Sequence, residues 1–345
     1  MKKRIDDKLF LKCDKLTRIS IPLSVTSIGN NSFMDCKLLT QISIPPTVTS
    51  IGTEAFRGCS SLEKITIPSS VTSIKKGAFI DCKSLSNVSI SYLVTTIEYC
   101  LFFNCSSLKS ISIPLYASEI GSYSFCNCLL LSKISIPLSV TSIKGYAFSE
   151  CSSLKEITIP SSVTSIGNGT FNKCVLLSKI EIPSSVTEIG SEAFKNCHSL
   201  TEITIPPLLK SIDDGTFINC KALRRITIPS SVTSIGNEAF CGCQFLSEIE
   251  IPSSVISIGR EAFRMCTLLS DVTIPSSLKT IQMGTFFNCR SLRQIVIPSS
   301  VTSIEPHAFE RCISLTDALI PHSLHKIADN VFSPNTKITI IPIQK

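Results

Sequence analysis

The chain has 345 residues, 43% of them hydrophobic, with no Trp and 7% aromatic, so its core must be filled by Phe and aliphatic side chains. The net charge of +7 is uneven: 14 Lys+Arg stand against 8 Asp+Glu through Leu115, and 19 against 18 beyond it. No stretch approaches the ~18 apolar residues of a membrane span. The basic start, MKKRIDDKLFLKCDKL, has no apolar run of signal-peptide length, which sets the expectation of a soluble, cytoplasmic chain.

From Cys13 onward a cysteine returns every 23 residues, at Cys36, Cys59 and so on without a slip to Cys312. Phe stands three residues before each, from Phe10 to Phe309, and Leu three after, from Leu16 to Leu315. Ile or Val follows at six (Ala318 departs), Ile at eight, and Ile again at fifteen, from Ile28 to Ile327. A period of this length predicts a solenoid in which each repeat packs on its neighbours.

Spacing within the repeat predicts the local structure. In Leu223–Ile228, Ile226 and Ile228 point inward while Arg225 and Thr227 point outward, which is strand periodicity. Proline follows in thirteen of fourteen repeats, Ser91 being the exception, and stops the ladder because it has no N–H to donate. Phe-x-x-Cys-x-x-Leu has three-residue spacing and predicts a short helical or 3₁₀ turn. The Val-x-x-Ile arm is too short for a helix and is either extended or a second short strand. Gly follows its Ile in only seven of fourteen repeats, so a positive φ is not expected there.

The pattern Leu-x-x-Ile-x-Ile-Pro, then Val-x-x-Ile-Gly-x-x-Ala-Phe-x-x-Cys, resembles the BspA-like subclass of leucine-rich repeats. The resemblance covers essentially the whole chain. It implies a leucine-rich repeat solenoid, a curved right-handed stack with a parallel sheet on its concave face and short helical or 3₁₀ turns elsewhere. Residues 1–345 then form one domain of fifteen 23-residue units, the first truncated and uncapped and the last degenerate. At the start, either basic Met1–Lys3 shields the end, or the end is paired, or the chain is a fragment. At the other end Asn335 replaces Cys, and Thr336–Lys345 is a candidate closing strand. The resemblance also implies a cell-surface protein that acts in adhesion or protein binding, against the cytoplasmic expectation from the missing export signal.

Seventeen cysteines first suggest disulfides. Fourteen lie in register, however, and a parallel column holds Cβ atoms near the ~4.8 Å strand spacing, where a disulfide wants about 3.8 Å. The column is expected to be buried free thiols. Off-register Cys126 and Cys241 form C-x-C pairs with Cys128 and Cys243, five repeats apart and too distant to share a metal. The four histidines, His198, His307, His322 and His325, have no nucleophile or third ligand in register. No phosphate-cradling loop is present, and no cofactor or metal site is expected. Sequons stand at Asn30, Asn87, Asn104 and Asn168 and would matter only on export.

Two outward features remain. Five residues after each Cys the row includes Arg18, Lys64, Lys133 and Lys179 among its early members, and Glu202, Glu248, Asp271 and Asp317 later. Seven after each Cys the row is nearly all Ser or Thr. All five tyrosines fall together: Tyr99, Tyr123 and Tyr146 on the turn leading into the Phe arm, Tyr92 and Tyr116 just after the strand. Tyr is enriched at binding hot spots. These nine residues are the candidate partner-binding set for a non-enzymatic protein-binding scaffold. The alternative is a structural or surface-coat repeat protein without a specific partner. Nucleic acid ranks below both, because the basic residues are scattered and not interleaved with aromatics.

Overall fold

The computed structural model describes residues 3–324 and 326–341, in two compact units, Met1–Ile180 and Glu181–Lys345. Both are built from one kind of coil, and the coil around Cys59 shows how. In the strand Gln41–Ser43 the middle Ile42 is buried and its neighbours are exposed, as alternation demands. Pro45 ends the strand and opens a tight turn closed by the Val48 N–H donating to the Pro45 carbonyl at 3.1 Å. Pro46 projects into solvent, half-buried Thr47 donates its hydroxyl to the Val25 carbonyl at 2.7 Å, and Val48 returns to the core. The arm left open between extended chain and strand is a second strand, Ser50–Ile51, paired in parallel with Ser27–Ile28 before it and Ser73–Ile74 after it.

The Phe–Cys–Leu arm carries the three-residue spacing in a different form from a helix. Cys59 N–H donates to the Phe56 carbonyl at 3.1 Å and Leu62 N–H to the Cys59 carbonyl at 3.0 Å, bonds of 3₁₀ span. Alternate donors, however, leave the coil: Glu54, Phe56 and Gly58 give their N–H groups to Lys76, Ala78 and Ile80 of the next one. Sending every second amide sideways requires left-handed backbone at Glu54 (φ 51°) and Gly58 (φ 73°). Such residues interrupt the arm before a helix can propagate, so among the described residues no helix forms.

The same two positions, five and one before the Cys, are left-handed from Lys8 and Lys12 through His307 and Arg311. Asn and Asp tolerate that conformation best after Gly, and they recur one before the Cys. There Asn104 reaches Asp81 at 2.6 Å and Asn127 reaches Asn104 at 2.7 Å, a side-chain ladder along the stack. Gly52, after the Ile, is not left-handed, in agreement with the expectation above. Its role is close approach: a Cβ there would stand 2.7 Å from the Asn30 amide nitrogen.

In the first unit, Phe10 to Phe171 form one stack with ring centroids 5.0 to 5.7 Å apart and near-parallel planes. In the second, Phe194 to Phe332 repeat it at 5.3 to 5.6 Å. Cys, Leu, Ile and Val columns bury beside each stack. The strands pair in parallel and in register: Arg18 opposite Gln41 and Lys64 opposite Asn87 in the first unit, Glu202 opposite Arg225 and Glu248 opposite Asp271 in the second. The closing segment contains the strand Lys337–Ile341, paired in parallel with Asp317–Pro321. Met1 and Lys2, on which the shielding of the first coil rests, lie outside the described residues, as do 342–345.

Candidate functional site

The thiol column shows what the repeat asks of cysteine. The stacked Phe carbonyls from Phe10 to Phe148 in the first unit, and from Phe194 to Phe286 in the second, accept two bonds, one from the N–H of the same coil's Cys and one from the thiol of the next coil. The Phe33 carbonyl takes the Cys36 N–H and the Cys59 Sγ, both at 3.2 Å. The thiol contacts run from 3.0 to 3.2 Å for Cys36 through Cys174 in the first unit. From Cys220 to Cys312 in the second they run from 3.1 to 3.2 Å. Burial pushes these thiols up, to about 11 at Cys36 and about 12 at Cys312, and higher between them. Off-register Cys126 and Cys241 rise to about 11, again through burial first. The raised values favour the neutral thiol at pH 7, whereas the nucleophile of cysteine chemistry is the thiolate.

His198 is not placed beside another histidine's coil. His307 pairs with Glu310 one turn on, His198 is pushed down by burial and by Lys221, and His325 lies outside the described residues. Among the described residues no cluster of His, Cys, Asp and Glu is placed to hold a metal, and no helix is long and apolar enough to cross a membrane.

The candidate binding residues divide into three groups. Arg18, Lys64, Lys133 and Lys179 are each the exposed first residue of a strand, two or three coils apart, so they form a sparse row and not a cluster. Lys133 lines a groove, of about 410 Å³, over the strands Asn87–Ser89, Ser110–Ser112 and Lys133–Ser135.

Tyr99, Tyr123 and Tyr146 meet as expected, but largely by covering one another. Tyr123 and Tyr146 stack at 4.9 Å with planes 7° apart, and Tyr99 meets Tyr123 edge-on at 6.0 Å. The Tyr146 ring then lies over Gly169, whose missing Cβ makes room for it. Tyr123 and Tyr146 are therefore half-buried, short of the exposure the sequence led us to expect, while Tyr99 stays exposed. The Tyr99 phenol is pushed up, first by its hydrogen bond to the Cys100 side chain.

Tyr92 and Tyr116 occupy the solvent-facing corners of the turn after the strand, in neighbouring coils. Three residues that the sequence reading passed over share those corners: Leu93, Leu115 and Leu138. The signal was available, because Ser fills the same two positions in coils such as Ser161–Ser162 and Ser230–Ser231. An apolar residue where the repeat elsewhere places Ser is the mark that periodicity arguments, tuned to buried columns, overlook.

A family model described as a BspA-type leucine-rich repeat region (6 copies) matches residues 3–130, 118–247 and 234–345. A leucine-rich repeat protein from Bacteroides ovatus is 31% identical, at a TM-score of 0.73, over 98% of this chain and 87% of that one. A leucine-rich cell surface protein from Faecalibacterium prausnitzii is 29% identical at 0.50, over 99% and 83%. A leucine-rich repeat protein from Eubacterium ventriosum is 27% identical at 0.54, over 86% and 83%. No curated protein matches. The parallel coil, the Phe, Cys and Leu columns and a family model matching from residue 3 to residue 345 agree, and the chain belongs to the BspA-type leucine-rich repeat family.

Proposed function

We propose that this chain is a non-enzymatic protein-binding scaffold that works at a cell surface. The observation that carries the reading is the set of Tyr and Leu side chains exposed at turn corners that hold Ser in other coils. A monomeric surface under no demand to bind has no reason to concentrate large apolar residues on neighbouring coils. The raised thiol pKa values support a role without covalent chemistry. The surface location is supported by the likeness to the Faecalibacterium prausnitzii cell surface protein.

The exposed Ser and Thr that end the strands, such as Ser43, Thr66 and Ser89, favour a second reading, a coat whose regular hydroxyl rows face water. Membrane-impermeant labelling of the native cell, followed by cross-linking of the chain, separates the two. A scaffold gives surface labelling and a reproducible cross-link to another protein. Cross-links only between copies of this chain would favour the coat, and failure to label would remove the surface assignment.

A further inference from the structure

Tyr92, Leu93, Leu115, Tyr116 and Leu138 keep between 36% and 72% of their surface exposed. They stand on three successive coils, at the two corners of the turn that follows the strands Asn87–Ser89, Ser110–Ser112 and Lys133–Ser135. The groove of about 410 Å³ lies over those same strands. An apolar rim thus borders a polar groove whose strands contain one charged residue, Lys133.

Neighbouring coils are about 4.8 Å apart, so the rim offers apolar side chains at roughly 0, 4.8 and 9.6 Å along the stack. Positions i, i+3 and i+7 of an α-helix fall at about 0, 4.5 and 10.5 Å, from a rise of 1.5 Å per residue. An extended chain places same-face side chains roughly 6.7 Å apart and falls out of step after one coil. The helical spacing fits the rim, and the lone cation asks for an acid. We propose that this rim and groove bind an amphipathic, acidic helix of a partner protein, its apolar stripe on Leu115, Tyr116 and Leu138 and a carboxylate on Lys133, an inference that rests on the protein-binding reading above.

The test pans a displayed library of random 18-residue peptides against the whole chain. The variants are Leu115→Ser with Tyr116→Ser, and separately Lys133→Glu. Serine already occupies both corners elsewhere, and at the second corner, the Tyr116 position, its hydroxyl can bond the preceding coil, as Ser162 does with the Val140 carbonyl at 2.6 Å. The double variant is therefore expected to fold, with an unchanged circular dichroism spectrum and melting temperature. Enriched peptides should carry apolar residues at i, i+3 and i+7 with flanking Asp or Glu. Their affinity should drop about tenfold or more on the double variant, and their salt dependence should weaken on Lys133→Glu.

Enriched peptides that bind the double variant equally well would overturn the site and leave the scaffold reading standing. Rim-dependent peptides with alternating or basic patterns would overturn the helical, acidic occupant. Rim-dependent binding of the intact chain to phosphatidylglycerol vesicles, or a dimer lost in the double variant, would replace the partner helix with lipid or a second copy. A library that enriches nothing overturns the site, while cross-linking on the cell still decides the scaffold reading.

Discussion

A thiol that is neutral, buried and hydrogen-bonded suits the ladder because the Phe carbonyl above it has one lone pair to spare and little room beside it. The thiol's raised pKa makes this arrangement sensitive to base. The ordinary value of 9.0 applies to the unfolded chain, and Cys36, Cys126 and Cys241 rise to about 11 on folding. A group whose folded pKa is raised adds stability that is fully present below pH 9 and is lost as pH climbs toward and past 11. We therefore expect the urea midpoint to hold flat from pH 7 to 8.5 and to fall steadily above pH 9. Iodoacetamide at pH 8 should modify the native protein far more slowly than the denatured one. A midpoint insensitive to pH between 9 and 11 would mean that the thiols are not buried as described. Serine is a poorer guest in this core: Ser124 is buried and its hydroxyl has no partner, whereas Ala147 fills the same place one coil on. Ser124→Ala should raise stability by about 1 kcal/mol, read as an upward shift of the thermal midpoint.

At the scale of one coil, the stability resides in columns shared with two neighbours. Phe125 stacks on Phe102 at 5.6 Å and on Phe148 at 5.5 Å, and its side chain is fully buried. Phe125→Ala should cost about 3–5 kcal/mol by the large-to-small rule. Because each repeat contacts mainly its neighbours, protease cleavage should begin near residues 100–150. A loss below about 1 kcal/mol, or cleavage starting elsewhere, would contradict a nearest-neighbour stack. The columns were legible in the sequence because burial repeats one residue type at one position: Phe, Cys, Leu and Ile each announce a layer. The left-handed backbone at Glu54 and Gly58 was not legible. Its cause is a choice between hydrogen-bonding within the coil and across coils, which side-chain periodicity does not record. The Asn and Asp residues one before the Cys were a trace of it. Likewise the self-covering of Tyr123 and Tyr146 depends on ring orientation, while the row position of Lys133 could be read directly.

At the scale of a whole unit, the remaining question is whether the cations of the strand row in the first unit make a polyanion site. The exposed strand row in the first unit carries Arg18, Lys64, Lys133 and Lys179, with Gln41, Asn87, Ser110 and Glu156 between them. Successive cations are thus two, three and two coils apart, or about 10 to 14 Å at the parallel-strand spacing. The Debye length at 0.15 M salt is about 8 Å, so the cations of the row are largely screened from one another. Counterion release rewards proteins that neutralise many phosphates at once, and a single strand repeats its charge at intervals well below 10 Å. Cations off the row are held in ion pairs: Arg57 with Glu54 at 3.0 Å, Lys144 with Glu119 at 3.2 Å and Lys173 with Glu150 at 2.6 Å. We expect the chain to bind a heparin column in 0.02 M salt and to elute below about 0.2 M. Retention beyond about 0.5 M salt, lost on changing Lys64 and Lys133 to Gln, would instead mark the strand row as a nucleic-acid or polysaccharide surface. In that case the sparse row acts cooperatively, and the apolar rim beside it would be secondary.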